Sequence, residues 1–514
     1  MHDEPQRINW SVILVLLIGA FMAFLNGSTV NVALPKLMNV FNATTDSIKW
    51  VLTCYLMTLG VTMPVSGYLG DTFGYKRVYL MALVLFTLGS ALCGLSWNVG
   101  SMVAARIIQG IGGGIMSPLV MAFIYRSAPR SRMGLVLGIY GIAAGFAPAI
   151  GPTLGGYLVD YLNWRIIFYL NVPIGLVTLL LGSTLLQETE LIKGKYLDWP
   201  GILSSTVGLF CLLLALSQGT AYGWTSTYIM SLLVVATVSL VFFIYNELHH
   251  PEPILELRLF EDSRFTVATI ISCFINIGLF GGTFLMPILL QNVLGQSALK
   301  AGLILCPAGL VMAVVMPISG RLYDKYGAKW VIIIGMTIAA LTTLEMGKFN
   351  LMTPFVFITM CVMIRGVGMG LAMMPVRTVG LIGVPTRLIG KGSALSNVIL
   401  QVAASFGITV FTTIMQHRQV FHYANLAQSI NMNGTSGAAM SSGLKALAVS
   451  NGLSASTTQS LSAMVLYKEV VKLSILSSIT DCFYLVALFF LIGLAMTFLL
   501  KENRGKSTAS ETQP

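Results

Sequence analysis

Long apolar runs alternate with short polar breaks along all 514 residues of the chain. A helix needs about 20 mostly apolar residues to cross the hydrocarbon core of a bilayer. The pattern therefore predicts an all-α polytopic membrane protein. The predicted spans cover residues 11–33, 49–69, 77–97, 100–124, 134–158, 165–186, 200–218, 228–246, 265–291, 299–319, 329–347, 354–378, 391–415 and 478–500.

Composition excludes an ordinary soluble protein. Hydrophobic residues make up 56% of the chain and charged residues only 10%, whereas soluble domains carry roughly 25% charged residues. The one long connection, residues 416–477, is rich in Ser, Ala, Asn and Gln, and we expect it to be a loop on the outer side in which stretches such as 441–449 and 460–471 form surface helices.

The distribution of the 30 Lys and Arg residues between the two sides of the membrane indicates the topology. If the N-terminus is cytoplasmic, 19 of them fall in inner segments and nine in outer ones, four of those nine in the long connection. This bias predicts a multi-pass protein of the cytoplasmic (inner) membrane with both termini in the cytoplasm. The net charge of +11 is thereby explained, and no nucleic-acid partner is expected.

Two segments of the chain repeat one pattern, G-x-L-x-D-x-x-G-x-K. The first follows span 2 and the second follows span 10. Their key residues are Gly67, Asp71, Gly74, Lys76 and Arg77 in the first copy and Gly320, Asp324 and Gly327 in the second. We expect both loops to gate the inner end through Asp71 and Asp324, although a simple solvated turn would also satisfy the pattern.

A second pair of motifs follows the same order, with Arg106 and Gly110 in span 4 and Arg365 in span 12. The chain is therefore expected to contain an N-terminal six-helix half (1–190), two linker helices (191–262) and a C-terminal six-helix half (263–514). Repeated halves in a membrane protein are typical of alternating-access transporters, with the site between the halves.

These motifs resemble those of the major facilitator superfamily, in particular its fourteen-span drug:proton antiporters of the EmrB/QacA type. Residues 67–77 are similar to the family's loop motif, 106–114 to its fourth-helix motif, and 145–156 to its fifth-helix antiporter motif. The antiporter motif comprises Gly145, Pro148, Gly151, Pro152, Gly155 and Gly156. The resemblance implies multidrug efflux: export of hydrophobic, often cationic or uncoupling compounds, driven by proton entry. It also makes a periplasmic adaptor a candidate partner of the long outer loop.

The chain departs from the family pattern in its first helix. Where the family carries an acid, this sequence has Asn26, whose amide does not titrate. Glu345 and Asp481 are the acids that fall within the predicted spans, both near outer helix ends. They are candidate proton sites, with helix capping as the alternative. The full set of coupling candidates is Arg106, Gln109, Gly110, Arg365, Glu345 and Asp481.

The substrate cavity is expected among polar and aromatic residues within the spans, and the polar ones would serve equally as interhelical hydrogen-bonding groups. The candidates are Asn26, Asn31, Asn276, Phe280, Asn397 and Gln401. Substrate, protons and the lipid bilayer are the expected partners.

No enzyme chemistry is indicated. The seven cysteines lie singly within spans and the five histidines form no metal or catalytic pattern, so neither cofactor nor metal is expected. Besides drug efflux, two functions stay open: a dedicated exporter or facilitator of an endogenous lipid or metabolite, not coupled to protons, and a membrane sensor or scaffold.

Overall fold

The computed structural model describes residues 9–127, 133–188, 198–385, 388–429 and 455–500. In this part of the chain, 14 helices are long and apolar enough to cross a membrane, which confirms the predicted fold class. In chain order they are α1 Trp10–Phe41, α2 Thr45–Phe73, α3 Tyr75–Leu95, α4 Val99–Ser127, α5 Met133–Tyr161, α6 Asn171–Leu185, α7 Trp199–Tyr222, α8 Thr227–His249, α9 Ser263–Ile288, α10 Ala298–Tyr326, α11 Ala328–Met346, α12 Phe355–Ile382, α13 Ile389–Ser429 and α14 Ala455–Thr497. A single turn, Ile166–Tyr169, precedes α6, and the π-helical turn Leu289–Val293 extends α9.

We call the end of the bundle where α1 begins the inner end and the opposite end the outer end, following the charge distribution. Most helices continue past the predicted spans, because a helix can extend beyond the lipid with polar residues. As a result Asp71, Glu247 and Asp324, which the predicted spans leave in loops, lie inside α2, α8 and α10.

The expected loop at 416–477 is helical for much of its length. Helix α13 runs on to Ser429 and α14 begins at Ala455. A helix of 41 residues is about 60 Å long, twice the thickness of the hydrocarbon core. The outer parts of α13 and α14 therefore form a helical projection. Residues 430–454 lie outside the described part of the chain.

Helices of the two predicted halves meet along two seams. Helix α5 packs along α10, and α2 packs against α13. The linker helix α7 contacts both α2 and α13, and Thr409 of α13 donates a hydrogen bond to the Leu216 carbonyl of α7 (2.9 Å). Helix α8 packs on α7 and exposes apolar residues such as Val234 and Val238.

The two repeated loops have matching geometry. Gly74 (φ 92°) and Gly327 (φ 86°) lie in the region of positive φ that favours glycine, and each allows two long helices to join with one residue between them. Lys76 donates to the Ser183 carbonyl at the end of α6 (2.8 Å), while Lys329 donates to the Phe498 carbonyl just after α14 (3.2 Å). Each lysine thus ties its loop to the last helix of its own half, as a duplicated unit would.

Candidate transport site

A cavity of about 320 Å³ lies between the two predicted halves. Its walls come from α1 and α5 on one side and from α9, α10 and α12 on the other. It lies toward the outer end, because Gln291, beyond the outer end of α9, and Ala301, in the first turn of α10, are among its lining residues. Neutral polar side chains such as Ser28 and Asn31 share the lining with Met286 and other apolar residues.

Arg365 of α12 contributes a guanidinium to this cavity. Its side chain is 93% buried, at a relative exposure of 7%. Nη2 donates to the Gly278 carbonyl of α9 (2.6 Å), and the guanidinium carbon lies 5.9 Å from the Phe490 ring centre. The guanidinium fills the space that a Cβ at Gly282 would need, so glycine at that position admits the arginine.

The residues of the antiporter motif place α5 between the halves. Gly151 and Gly155 face α1, and a Cβ on Gly155 would lie 2.8 Å from the Thr29 carbonyl oxygen. Gly145 faces Met312 of α10, the buried Gly156 follows Gly155, and Pro148 and Pro152 line the cavity. Small residues allow such close helix approach. The motif therefore forms both a packing seam and part of the cavity wall.

Arg106 has different surroundings from Arg365. It is fully buried within the first half and is absent from the described cavity lining. Nε donates to the Val51 carbonyl (3.0 Å) and Nη1 to Gln109 Oε1 (2.7 Å), while Gln109 Nε2 donates to Ser90 Oγ (2.6 Å). These bonds join α2, α3 and α4.

An aromatic ring and the first-helix amide complete the surroundings of Arg106. Its guanidinium carbon lies 4.2 Å from the Tyr55 ring centre, within the range of a cation–π interaction. The buried Asn26 lies beside Tyr55, and Gly110 packs against Thr58 of α2. Arg106 and Gln109 thus lie in one buried hydrogen-bonded network, with Gly110 and Asn26 packed beside it, and the Asn26 amide makes no hydrogen bond.

The first loop motif lies where α2 packs against α13 at the inner end. Asp71 is buried and accepts a hydrogen bond from the Tyr75 hydroxyl (3.0 Å). Gly67 lies against α13, where an added Cβ would be 2.9 Å from the Gly390 carbonyl oxygen. The Ser393 hydroxyl donates to the Pro118 carbonyl across the same seam (3.3 Å).

The second loop motif is not equivalent in its contacts. Asp324 is exposed at the end of α10, although Gly320 in the same motif is buried.

Glu188 was not predicted, yet its carboxylate accepts from the backbone N–H groups of Lys76 (3.1 Å) and Arg77 (3.3 Å) and lies 3.5 Å from Arg77 Nε. It satisfies the first turn of α3 and fixes the first loop to the end of α6. Its position after an apolar run was the only sequence signal.

The two outer acids are paired at the surface. Glu345 forms an ion pair with Lys348 (2.7 Å) and raises the pKa of that lysine. Asp481 of α14 accepts from Arg418 Nε (2.6 Å) and lies 2.7 Å from His422 Nε2, both on α13. This second cluster joins the bases of the helical projection.

The remaining predicted cavity residues are scattered. Asn31 lines the cavity. Asn276 donates to the Ser272 carbonyl of its own helix (2.8 Å), and Asn397 donates to that of Ser393 (2.9 Å). Phe280 is 37% exposed, and Gln401 packs beside Gly60 of α2. Sequence reasoning missed Thr283, Gln291 and the methionines of the lining, because their facing depends on how the helices pack.

Residues 16–408 match the sequence pattern of the Major Facilitator Superfamily. This chain belongs to the major facilitator superfamily. It is therefore a multi-pass membrane transporter and not an enzyme, as its sequence indicated.

Proteins similar to this superfamily member include two from Bacillus subtilis (strain 168). The uncharacterized MFS-type transporter YhcA is 36% identical over 495 residues, covering 96% of this chain and 93% of that protein. The multidrug transporter protein MdtP is 32% identical over 514 residues, covering 97% and 94%. Among solved structures, a double-tryptophan mutant of XylE has a TM-score of 0.63 at 16% identity and covers 97% of both chains, which shows the shared fold.

Proposed function

We propose that this transporter exports hydrophobic or amphipathic drugs and toxic compounds across the cytoplasmic membrane, by alternating access and with both termini in the cytoplasm. The observation that carries the proposal is the cavity between α1, α5, α9, α10 and α12, which lies toward the outer end while helices of the two halves meet at the inner end. The multidrug name of the MdtP relative supports the substrate class.

The contacts between helices at the inner end are the ones that have to break when the transporter opens toward the cytoplasm. Gly67 against Gly390 and Ser393 against Pro118 hold α2 and α4 to α13. When these contacts break, the halves would rotate about the seam between α5 and α10, where small residues permit sliding. The same cavity would then face the cytoplasm and receive substrate.

Proton entry is the energy source we propose, and its carrier has to lie outside the cavity. The described lining contains no carboxyl group, and Asn26 replaces the acid of the first helix. Glu345 and Asp481 are the candidate carriers, and Asp71 and Asp324, proposed first as gating residues, are further candidates. We propose the helical projection of α13 and α14 as the docking surface for a periplasmic adaptor.

The described lining has no carboxyl group and Asn26 replaces the acid of the first helix, and these two observations favour a second candidate. This candidate is an exporter or facilitator of an endogenous lipid or metabolite that is not coupled to protons. Without a titratable acid in or beside the cavity, substrate could move down its own gradient. The two candidates differ in their dependence on the proton gradient and in the range of compounds they move.

Expression of the full chain in a bacterial host that lacks its own drug exporters separates them. Drug export predicts raised tolerance to several structurally unrelated amphipathic compounds, lost when a protonophore collapses the proton gradient in a matched efflux assay. Unchanged tolerance to every compound, at a verified protein level, would contradict the first proposal. Efflux that persists without the gradient would favour the second.

A further inference from the structure

We propose that Arg365 binds the negatively charged end of the substrate, and that this transporter favours amphipathic organic anions over cations of the same size. The inference rests on the proposed export function and specifies its substrate class. It follows from the charge, the hydrogen bonding and the shape of the cavity, taken in turn below.

The cavity carries a net positive charge. Among its described lining residues, Arg365 is the only ionisable side chain, and the other polar groups, such as Ser28, Asn31, Thr283 and Gln291, are neutral. Arg106 lies outside the lining, in the network with Gln109 and Tyr55. A cationic substrate would therefore meet an uncompensated positive charge in a region of low dielectric constant, whereas an anion would neutralise it.

The guanidinium has bonding capacity left over. Nη2 is used by the Gly278 carbonyl, but Nε is buried and has no hydrogen-bond partner. A charged group within the membrane is costly unless it is paired, and such residues usually serve function. A carboxylate, sulfonate or phosphate in the cavity would pair with the part of the guanidinium that lines it and supply the missing counter-charge.

The rest of the cavity fits an apolar body. Met286 of α9, Met312 of α10 and Met369 of α12 line it, and methionine adapts its shape to different partners. A volume of about 320 Å³ lies at the lower end of the range for sites that bind drug-sized molecules. The geometry points to one small anionic head on a hydrophobic ring system or chain.

The test uses two dyes that share a xanthene ring and have similar size but differ in charge: fluorescein, an anion at neutral pH, and rhodamine 123, a cation. Binding of each dye is measured by equilibrium dialysis against the purified full chain in an uncharged detergent. Efflux of each is measured from preloaded cells of the exporter-deficient host, with the released dye read at a fixed pH.

Wild-type protein is expected to bind fluorescein more tightly than the cation. Arg365→Gln should weaken fluorescein binding by about 10- to 100-fold, the usual value of a hydrogen bond to a charged group. It should leave binding of the cation unchanged or improved. Arg365→Lys keeps the charge and should retain part of the preference, while Lys36→Gln removes an exposed charge at the outer end of α1 and should change the binding and efflux of neither dye.

Size-exclusion profiles establish that each variant is folded. Equal loss of both dyes in Arg365→Gln would show that the residue only ties α12 to α9, and equal binding of both dyes by wild-type protein would also overturn the inference. If phosphatidylglycerol displaces fluorescein where phosphatidylcholine does not, and cells export neither dye, Arg365 binds a lipid headgroup and the assignment to organic anions is wrong. Export of the cation alone would refute the anion preference and leave drug export standing, whereas export of no compound would refute the export function itself.

Discussion

Arg106 and Arg365 are both charged residues within apolar helices, but they perform different tasks in this structure. Arg106 is enclosed by Tyr55, Gln109 and the Val51 carbonyl, and its Nε and Nη1 atoms donate hydrogen bonds, the first of which holds α4 to α2, while its buried Nη2 makes no hydrogen bond. Arg365 is anchored by one bond and otherwise faces a cavity. Although Arg106 and Arg365 occupy corresponding positions in the repeated motif, they make different contacts.

At this scale we predict that Arg106→Ala lowers the stability of the folded protein. The Val51 carbonyl and the Gln109 side chain would lose their donor in a buried place, at a cost of about 1–3 kcal/mol for each unsatisfied group. Thermal unfolding of the purified variant in detergent should therefore occur at a lower temperature than that of wild-type protein and of the exposed control Lys348→Gln. An unchanged unfolding temperature together with lost transport would instead place Arg106 in the transport cycle.

At the scale of helices, the number and order of the membrane-spanning helices were predictable from the sequence. The direction in which each side chain faces was not. The fourteen spans follow from apolar runs, because lipid imposes a minimum length of apolar residues. The projection of α13 and α14 was predicted only in part, as short surface helices within a loop, since these outer turns are not in lipid and carry a polar sequence. The burial of Asp71 and the capping by Glu188 depend on neighbouring helices, which no single span specifies.

Helix α5 offers a matched pair of glycine substitutions. A Cβ at Gly155 would meet the α1 backbone, 2.8 Å from the Thr29 carbonyl oxygen and 3.2 Å from the Thr29 Cα atom. We expect Gly155→Ala to force α1 and α5 apart and to destabilise the protein by about 1–3 kcal/mol. Gly27→Ala adds the same methyl group where no atom lies within 4 Å, and should be neutral or stabilising by up to about 1 kcal/mol.

Thermal unfolding and dye efflux of the two variants check this prediction. Equal unfolding temperatures and equal efflux would show that the close approach of α1 and α5 is not required.

At the scale of the whole molecule, the halves meet at the inner end and enclose a cavity toward the outer end. Such an arrangement is one of the two states that alternating access requires. The linker helix α7 lies against both α2 and α13, and α8 packs on α7, so a rotation of the two predicted halves must change the contacts of α7. We therefore predict that this chain moves its substrate across the membrane without nucleotide hydrolysis and without a second enzyme.

Transport by the purified chain in liposomes tests this central claim most directly. Fluorescein is supplied at equal concentration on both sides of the membrane, and its accumulation on the side opposite to the one that corresponds to the cytoplasm is followed with and without an imposed proton gradient directed toward the cytoplasmic side. The account predicts movement against the dye gradient that requires both the protein and the proton gradient and is lost in Arg365→Gln. Movement no faster than in protein-free liposomes, for fluorescein and for neutral and cationic amphipathic dyes alike, would contradict it.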